Sequence, residues 1–295
     1  MLQVTVTTEN GERRVRVSAG ELAGLVRRIG GAGDAFLVLQ RVPDLPDVFA
    51  QVLSGPGGYT LEYRAGAADR HFAATVDDAD TVIAVLEGWA REVPGWDVGP
   101  EWSLLEMGPV PEAPPLPDDV RVGLEHHLRE ILVGGYTTRA ELAENAEGGR
   151  VSRVQAEALA DRLWLERVAE QARWKGETDP ERLTRAFTAL EAAGITAREN
   201  FACCHDCGQA EIGGESAPDA RGFVYFDHHA TDAAAAGCGL SLRYGGFDGS
   251  ADTSTAVGRE VVAALEDAGL RTEWDHDPSQ VIRVTPLDWC RRLVG

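Results

Sequence analysis

Apolar residues alternate with polar ones at Val4 and Val6, and again at Val15 and Val17, with Asn10-Gly11 between the two runs. Asn-Gly tolerates the positive φ of a type I′ turn, so the pattern predicts a hairpin. Ser18 stands three residues before Glu21, a capping-box spacing, and Leu22, Leu25, Val26 and Ile29 follow on one helical face up to Gly30-Gly31. Phe36-Leu37-Val38-Leu39 reads as a buried strand. Tyr59, Leu61 and Tyr63 alternate, then Phe72, Ala74 and Val76, giving two more. His71 precedes Phe72 and is expected on the solvent side. Asp77, Asp78 and Asp80 lie ahead of Val82, Ile83, Val85, Leu86 and Trp89, where negative charge favours a helix start. Strands with one or two covering helices make a small α+β domain over residues 1–107.

From residue 118 the period becomes helical. Val120, Leu124, Leu128 and Ile131 form a stripe that stops at Gly134-Gly135. Ser152 and Gln155 have capping-box spacing, and Asp179-Pro180 opens a further helix with Leu183, Ala186, Phe187 and Leu190 inward and Gly194 at its end. Thr196 and Glu199 repeat the spacing, predicting a short helical turn that delivers Phe201 to the cysteines. Strands follow at Phe223–Phe226 and at Leu240, Leu242 and Tyr244. A helix carries Val257, Val261, Leu265 and Ala268, and a hairpin folds around Asp275 to Ser279. Residues 118–295 are therefore expected to be a helical first half followed by a small, mostly antiparallel sheet. The fold class is α+β with two domains.

Five of the fourteen prolines fall at 109, 111, 114, 115 and 117. Such a stretch favours extended polyproline II at ~3.1 Å per residue, and residues 108–117 read as a spacer of up to roughly 28 Å between the two domains. No run approaches the ~20 apolar residues needed to span a bilayer, and no secretion signal opens the chain, so the cytoplasm is the expected compartment. The formal charge of −20 disfavours nucleic acid and anionic membrane, because the long-range field repels phosphate. It suits a basic protein partner.

Three of the five cysteines lie in Cys203-Cys204-His205-Asp206-Cys207-Gly208. An odd, clustered set in a reducing compartment points to a metal site or reactive thiol rather than a disulfide framework. Cys204 and Cys207 have Cys-x-x-Cys spacing, which supplies two of the four ligands of a tetrahedral zinc. His228 and Cys238 are the expected other two, with Cys203, His205 and His229 as alternates. A redox or nucleophilic thiol is the rival reading, because a cysteine near a helix N-terminus has a lowered pKa. The helical turn expected before the motif argues against the strand–motif–helix setting of redox dithiols. Purely structural, buried cysteines are a third outcome. No Ser-His-Asp set, P-loop or dinucleotide fingerprint occurs, so catalytic residues are not assigned and a non-enzymatic protein is expected. The alternative is an enzyme that uses metal or thiolate at a cleft beside Cys203–Cys207.

Tyr59-Thr60-Leu61-Glu62-Tyr63-Arg64, Arg70-His71-Phe72, Gly88-Trp89-Ala90, Trp96 and Trp102 resemble the layout of immunity proteins from bacterial polymorphic-toxin systems. That resemblance implies a protein-binding domain without catalysis, with Trp89, Trp96 and Trp102 as candidate partner-binding residues. Arg198-Glu199-Asn200-Phe201, Cys203-Cys204-x-x-Cys207-Gly208, Glu211-Ile212 and the tail Glu273-Trp274-Asp275 with Asp288-Trp289 resemble a mostly actinobacterial family of unknown function. This resemblance covers nearly all of residues 118–292 and implies a fold but no activity. The reading as a whole is a cytoplasmic, immunity-like binding protein with a zinc site as its only implied cofactor.

Overall fold

The computed structural model describes residues 1–108 and 112–294. Pro109 and Pro111 of the expected spacer lie outside the described residues. The chain divides into two compact units. One holds residues 1–128, 137–168 and 293–295, and the other holds 129–136 and 169–292.

The first unit is built on β1 (Val4–Thr8), β2 (Arg13–Val15), α1 (Ala19–Arg28), β3 (Phe36–Arg41), β4 (Val48–Gly55), β5 (Gly58–Ala65), β6 (His71–Val76), α2 (Ala79–Ala90) and β7 (Ser103–Leu104). The strands form one antiparallel sheet in the order β2-β1-β3-β4-β5-β6-β7. The Asn10-Gly11 hairpin forms, though with a positive φ at Gly11 alone (84°) where a type I′ turn needs two, and the Ser18–Glu21 capping box forms as the sequence predicts. Asp78 caps α2 by accepting from the Thr81 amide (2.8 Å). Val4, Val6, Leu37, Leu39, Val52 and Leu61 of the sheet are buried with Leu22 and Leu86 of the helices. Each such side chain contributes about 1.5–3 kcal/mol relative to exposure.

Three further helices follow: α3 (Asp118–Gly134), α4 (Arg139–Ala146) and α5 (Arg153–Gln171). Residues 137–168 group with the N-terminal sheet, so the compact units do not divide at the proline-rich stretch. Two interactions explain this. The buried Trp164 donates its indole N–H to the Asp44 carbonyl (2.7 Å). Arg139 bridges the Asp44 and Asp161 carboxylates at 2.7 Å each. Side-chain pairing over such separations leaves no trace in local periodicity.

The second unit contains α6 (Asp179–Ala192), β8 (Ile195–Arg198), α7 (His205–Glu211), β9 (Gly222–Tyr225), α8 (His228–Ala235), β10 (Leu240–Gly246), α9 (Ala251–Asp267), β11 (Thr272–Glu273) and β12 (Ile282–Val284). The sheet order is β11-β12-β10-β9-β8; β8 and β9 run parallel and the other neighbours antiparallel. Val224, Leu240, Leu242 and Tyr244 are buried in one core with Leu183 and Phe187 of α6 and Val261 and Leu265 of α9. Phe223 and Tyr225 alternate with Val224 and join Ile212 and Phe201 in a separate cluster. The two families of residues therefore face opposite sides of the sheet. Among the described residues, no helix is long and apolar enough to cross a membrane.

Candidate metal and thiol centre

The cysteine knot sits in the connection between the two parallel strands. The segment expected to be a helical turn is strand β8: Ile195, Thr196 and Ala197 are all buried, and the register runs from Ile195 opposite Gly222 to Arg198 opposite Tyr225. The Thr196–Glu199 spacing caps nothing. The Glu199 carboxylate instead accepts from the Tyr136 hydroxyl (2.7 Å) and pairs with Arg291 (2.8 Å). The motif thus follows a strand, opens helix α7 and returns to a parallel strand. That is the setting whose expected absence argued against thiol chemistry, so the objection falls.

Beyond β8 the pairing continues irregularly. Phe201 donates its amide to the Phe226 carbonyl (2.7 Å), and His228 donates to that of Ala202 (3.2 Å). Asn200 (φ 50°) and Ala202 (φ 60°) are left-handed. For an alanine this conformation costs roughly 1–2 kcal/mol. The Thr231 hydroxyl holds the Asn200 side chain at 2.7 Å.

Cys204 caps α7, and Gly208 one turn later lies against the Tyr225 ring. A Cβ on Gly208 would approach Tyr225 Cε2 to 2.5 Å. The motif glycine is therefore required by a neighbouring strand. The Tyr225 hydroxyl donates to the His205 carbonyl (3.1 Å), and burial pushes its pKa up.

The sulfurs of Cys203, Cys204 and Cys207 all lie within 4.8 Å of one another, and Cys203 and Cys207 approach to 3.4 Å. All five cysteines are free. The Cys207 amide and the thiols of Cys207 and Cys203 hold the Cys204 pKa below the ordinary thiol range. Cys207 shares its proton with the other two sulfurs and repels their charge, so its pKa is pushed up to about 12. The Cys204 thiolate forms readily and that of Cys207 does not, unless a cation joins the cluster.

The expected ligand set needs correction. Cys204 and Cys207 converge, and the third sulfur is the alternate Cys203. Among the described residues, His228 and Cys238 are not part of the group. The physical reason is α8, which begins at His228 and ends before Cys238. Eight helical residues rise about 12 Å, so its two ends cannot serve one ion. Both residues are exposed, and the Cys238 amide donates to the Ala233 carbonyl (2.9 Å). His205 places Nδ1 3.2 Å from the Tyr225 hydroxyl. His229 lines a cavity of about 410 Å³ together with Cys204, His205, Asp206, Asp227 and Arg243. Asp227 caps α8 through the Ala230 amide (2.9 Å), so Asp227-His228 marked a helix start that the sequence reading passed over.

Residues 117–293 match the family described as Domain of unknown function (DUF6891). The chain belongs to this family. The DUF6891 region begins at Pro117, the last proline of that stretch, and contains the whole cysteine cluster. No curated protein and no solved structure matches the chain.

The first unit also corrects the sequence reading. Trp89 is 3% exposed, with the Arg41 guanidinium 3.9 Å over its ring, so it is a core residue with no face for a partner. Trp96 and Trp102 are half-buried, each 4.8 Å from Tyr63 in edge-to-face contact. His71 is not on the solvent side. It is 3% exposed, accepts at Nδ1 from Arg64 Nε (3.3 Å) and places Nε2 3.1 Å from the Glu62 carboxylate. Because Arg64 is always a donor, the ring proton belongs on Nε2. Its edge-on packing against Phe49, with ring centroids 5.6 Å apart, draws it inward.

Proposed function

We propose that the DUF6891 region is a thiolate–metal module in which Cys203, Cys204 and Cys207 supply three ligands to one zinc ion. The observation that carries this reading is the convergence of the three sulfurs. Tetrahedral zinc with Zn–S bonds of ≈2.3 Å sets its ligands ~3.8 Å apart, close to the 3.4 Å between Cys203 and Cys207 and within the 4.8 Å that bounds all three sulfurs. The cation also offsets the repulsion that keeps the Cys207 thiol protonated. Zinc supplies structural cross-linking at such a site and, where a ligand position stays open, a Lewis acid. The cytoplasm, where thiols stay reduced, is the compartment that suits the site.

The test is to count zinc and iron in protein purified under reducing conditions and to titrate thiols on the same sample. One equivalent of zinc with three protected thiols, and Cys238 and Cys290 reactive, is the expected result. Five titratable thiols without metal would overturn it and favour Cys204 as a nucleophile beside the cavity.

A second reading concerns the first unit. Trp96 and Trp102 retain exposed surface next to Val98 and Leu104, two of the most exposed large apolar residues described. Half-exposed tryptophans suit a protein partner, and the charge of −20 favours a basic one, such as a toxin that the protein neutralises. A complex released by high salt and lost in Trp96→Ala/Trp102→Ala is the expected behaviour. A complex unaffected by both changes would place the partner elsewhere.

A further inference from the structure

Arg243 lies on β10 directly opposite Tyr225 of β9, so the two side chains project from the same face of the sheet. That is the face carrying the Tyr225–Gly208 contact, and Ser241, two residues earlier, shares it. Arg243 is partly buried. Among the described residues its side chain makes no hydrogen bond and no ion pair, in a chain where carboxylates outnumber basic residues by 48 to 28. The other arginines in that condition, Arg70, Arg173, Arg259 and Arg271, are all exposed to solvent. A half-buried guanidinium beside a cavity of about 410 Å³, with no carboxylate taken from an abundant supply, is a charge left available for a ligand.

The geometry points to a small carboxylate as the ligand of this cavity, held by Arg243 and lying beside the Cys204 end of the cysteine cluster. A carboxylate can accept two parallel hydrogen bonds from one guanidinium. Asp206 and Asp227 on the same walls disfavour a phosphate dianion and suit a ligand that also carries an ammonium group, as an amino acid or short peptide does. The volume is within the range of small-molecule sites and exceeds what a lone anion fills. The placement beside a metal rests on the zinc reading, whereas the pairing with Arg243 does not.

The experiment is calorimetric titration of propionate, L-alanine and inorganic phosphate into full-length protein, both zinc-loaded and stripped by chelator. Wild type, Arg243→Gln and Arg243→Lys are compared. Because Arg243 has no partner to lose, both variants are expected to fold, which circular dichroism checks. One-to-one binding of propionate and L-alanine, at least tenfold weaker in Arg243→Gln and intermediate in Arg243→Lys, is the expected result, with phosphate weaker than either. Carboxylate binding that is absent from wild type, or equal in Arg243→Gln, would overturn the inference, as would phosphate binding as tightly as L-alanine. Arg243-dependent binding in protein that takes up no zinc would uphold the cavity assignment and sink the metal reading instead.

Discussion

The two units each hold a polar centre, and the centres are built on opposite terms. In the first, Asp47, Arg64, His71, Glu62 and Gln51 form a chain in which each side chain meets the next: Arg64 reaches Asp47 at 2.8 Å and Gln51 reaches Glu62 at 2.6 Å. In the second, three thiols converge with no fourth protein ligand among the described residues, and Arg243 beside them has no partner. A satisfied network fixes strands β4, β5 and β6 against one another and needs nothing more. An open one at the surface leaves its groups available to a ligand. The contrast separates a structural device from a site, although the sequence made His71 look like the ordinary surface residue.

Metal removal should break the contrast most. Zinc at a thousandfold excess over its dissociation constant stabilises the folded state by about 4 kcal/mol, so chelation or Cys204→Ser should lower the unfolding transition of the DUF6891 region by a comparable amount. His71→Ala should leave the second unit untouched, which two-probe thermal melts of the two units can check.

Gly208→Ala comes next. The new methyl meets the Tyr225 ring, and overpacking of this kind costs about 1–3 kcal/mol. Denaturant titration should show it, together with weaker zinc binding because the first turn of α7 must shift. In the closed centre, His71→Ala strips Glu62 and Arg64 of a buried partner, an expected loss of about 1–3 kcal/mol with no effect on zinc content. An unchanged midpoint would mean that water replaces the ring without penalty.

The smallest effect is one of pH. In metal-stripped protein the lowered pKa of Cys204 means that its alkylation should speed up at a lower pH than that of an ordinary thiol, while Cys207, at about 12, stays protonated and slow. Zinc reverses the order of events: binding expels protons, so affinity should fall as pH drops. Mass mapping of the first alkylated residue distinguishes the two states.

Much of the fold was legible because it rests on local signals. The Asn10-Gly11 hairpin, the Ser18–Glu21 and Ser152–Gln155 capping boxes and the helix opened by Pro180 all formed where the spacing placed them. Strand β4 left no clear pattern, since Val48, Phe49, Ala50, Val52 and Leu53 put apolar residues at both parities. Strand β8 was misread because its four residues are too few for a period and Thr196–Glu199 mimics a cap. The cluster was half legible. Cys-x-x-Cys spacing identified two sulfurs, but the exclusion of His228 and Cys238 depends on α8, and Arg243 stands out only when its missing partner is seen. The acidic charge gave no hint that a half-buried arginine beside the cysteines would lack a carboxylate.

The contact between Gly208 and Tyr225 has a bearing on how this region can vary. A glycine required by a turn could be exchanged for asparagine at modest loss, whatever its neighbours. A glycine required by an aromatic ring is tied to that ring. In relatives where position 208 carries a side chain, position 225 should hold a smaller residue, and neither change should be found without the other. The two positions are seventeen residues apart in the chain, yet they are expected to be inherited as a pair.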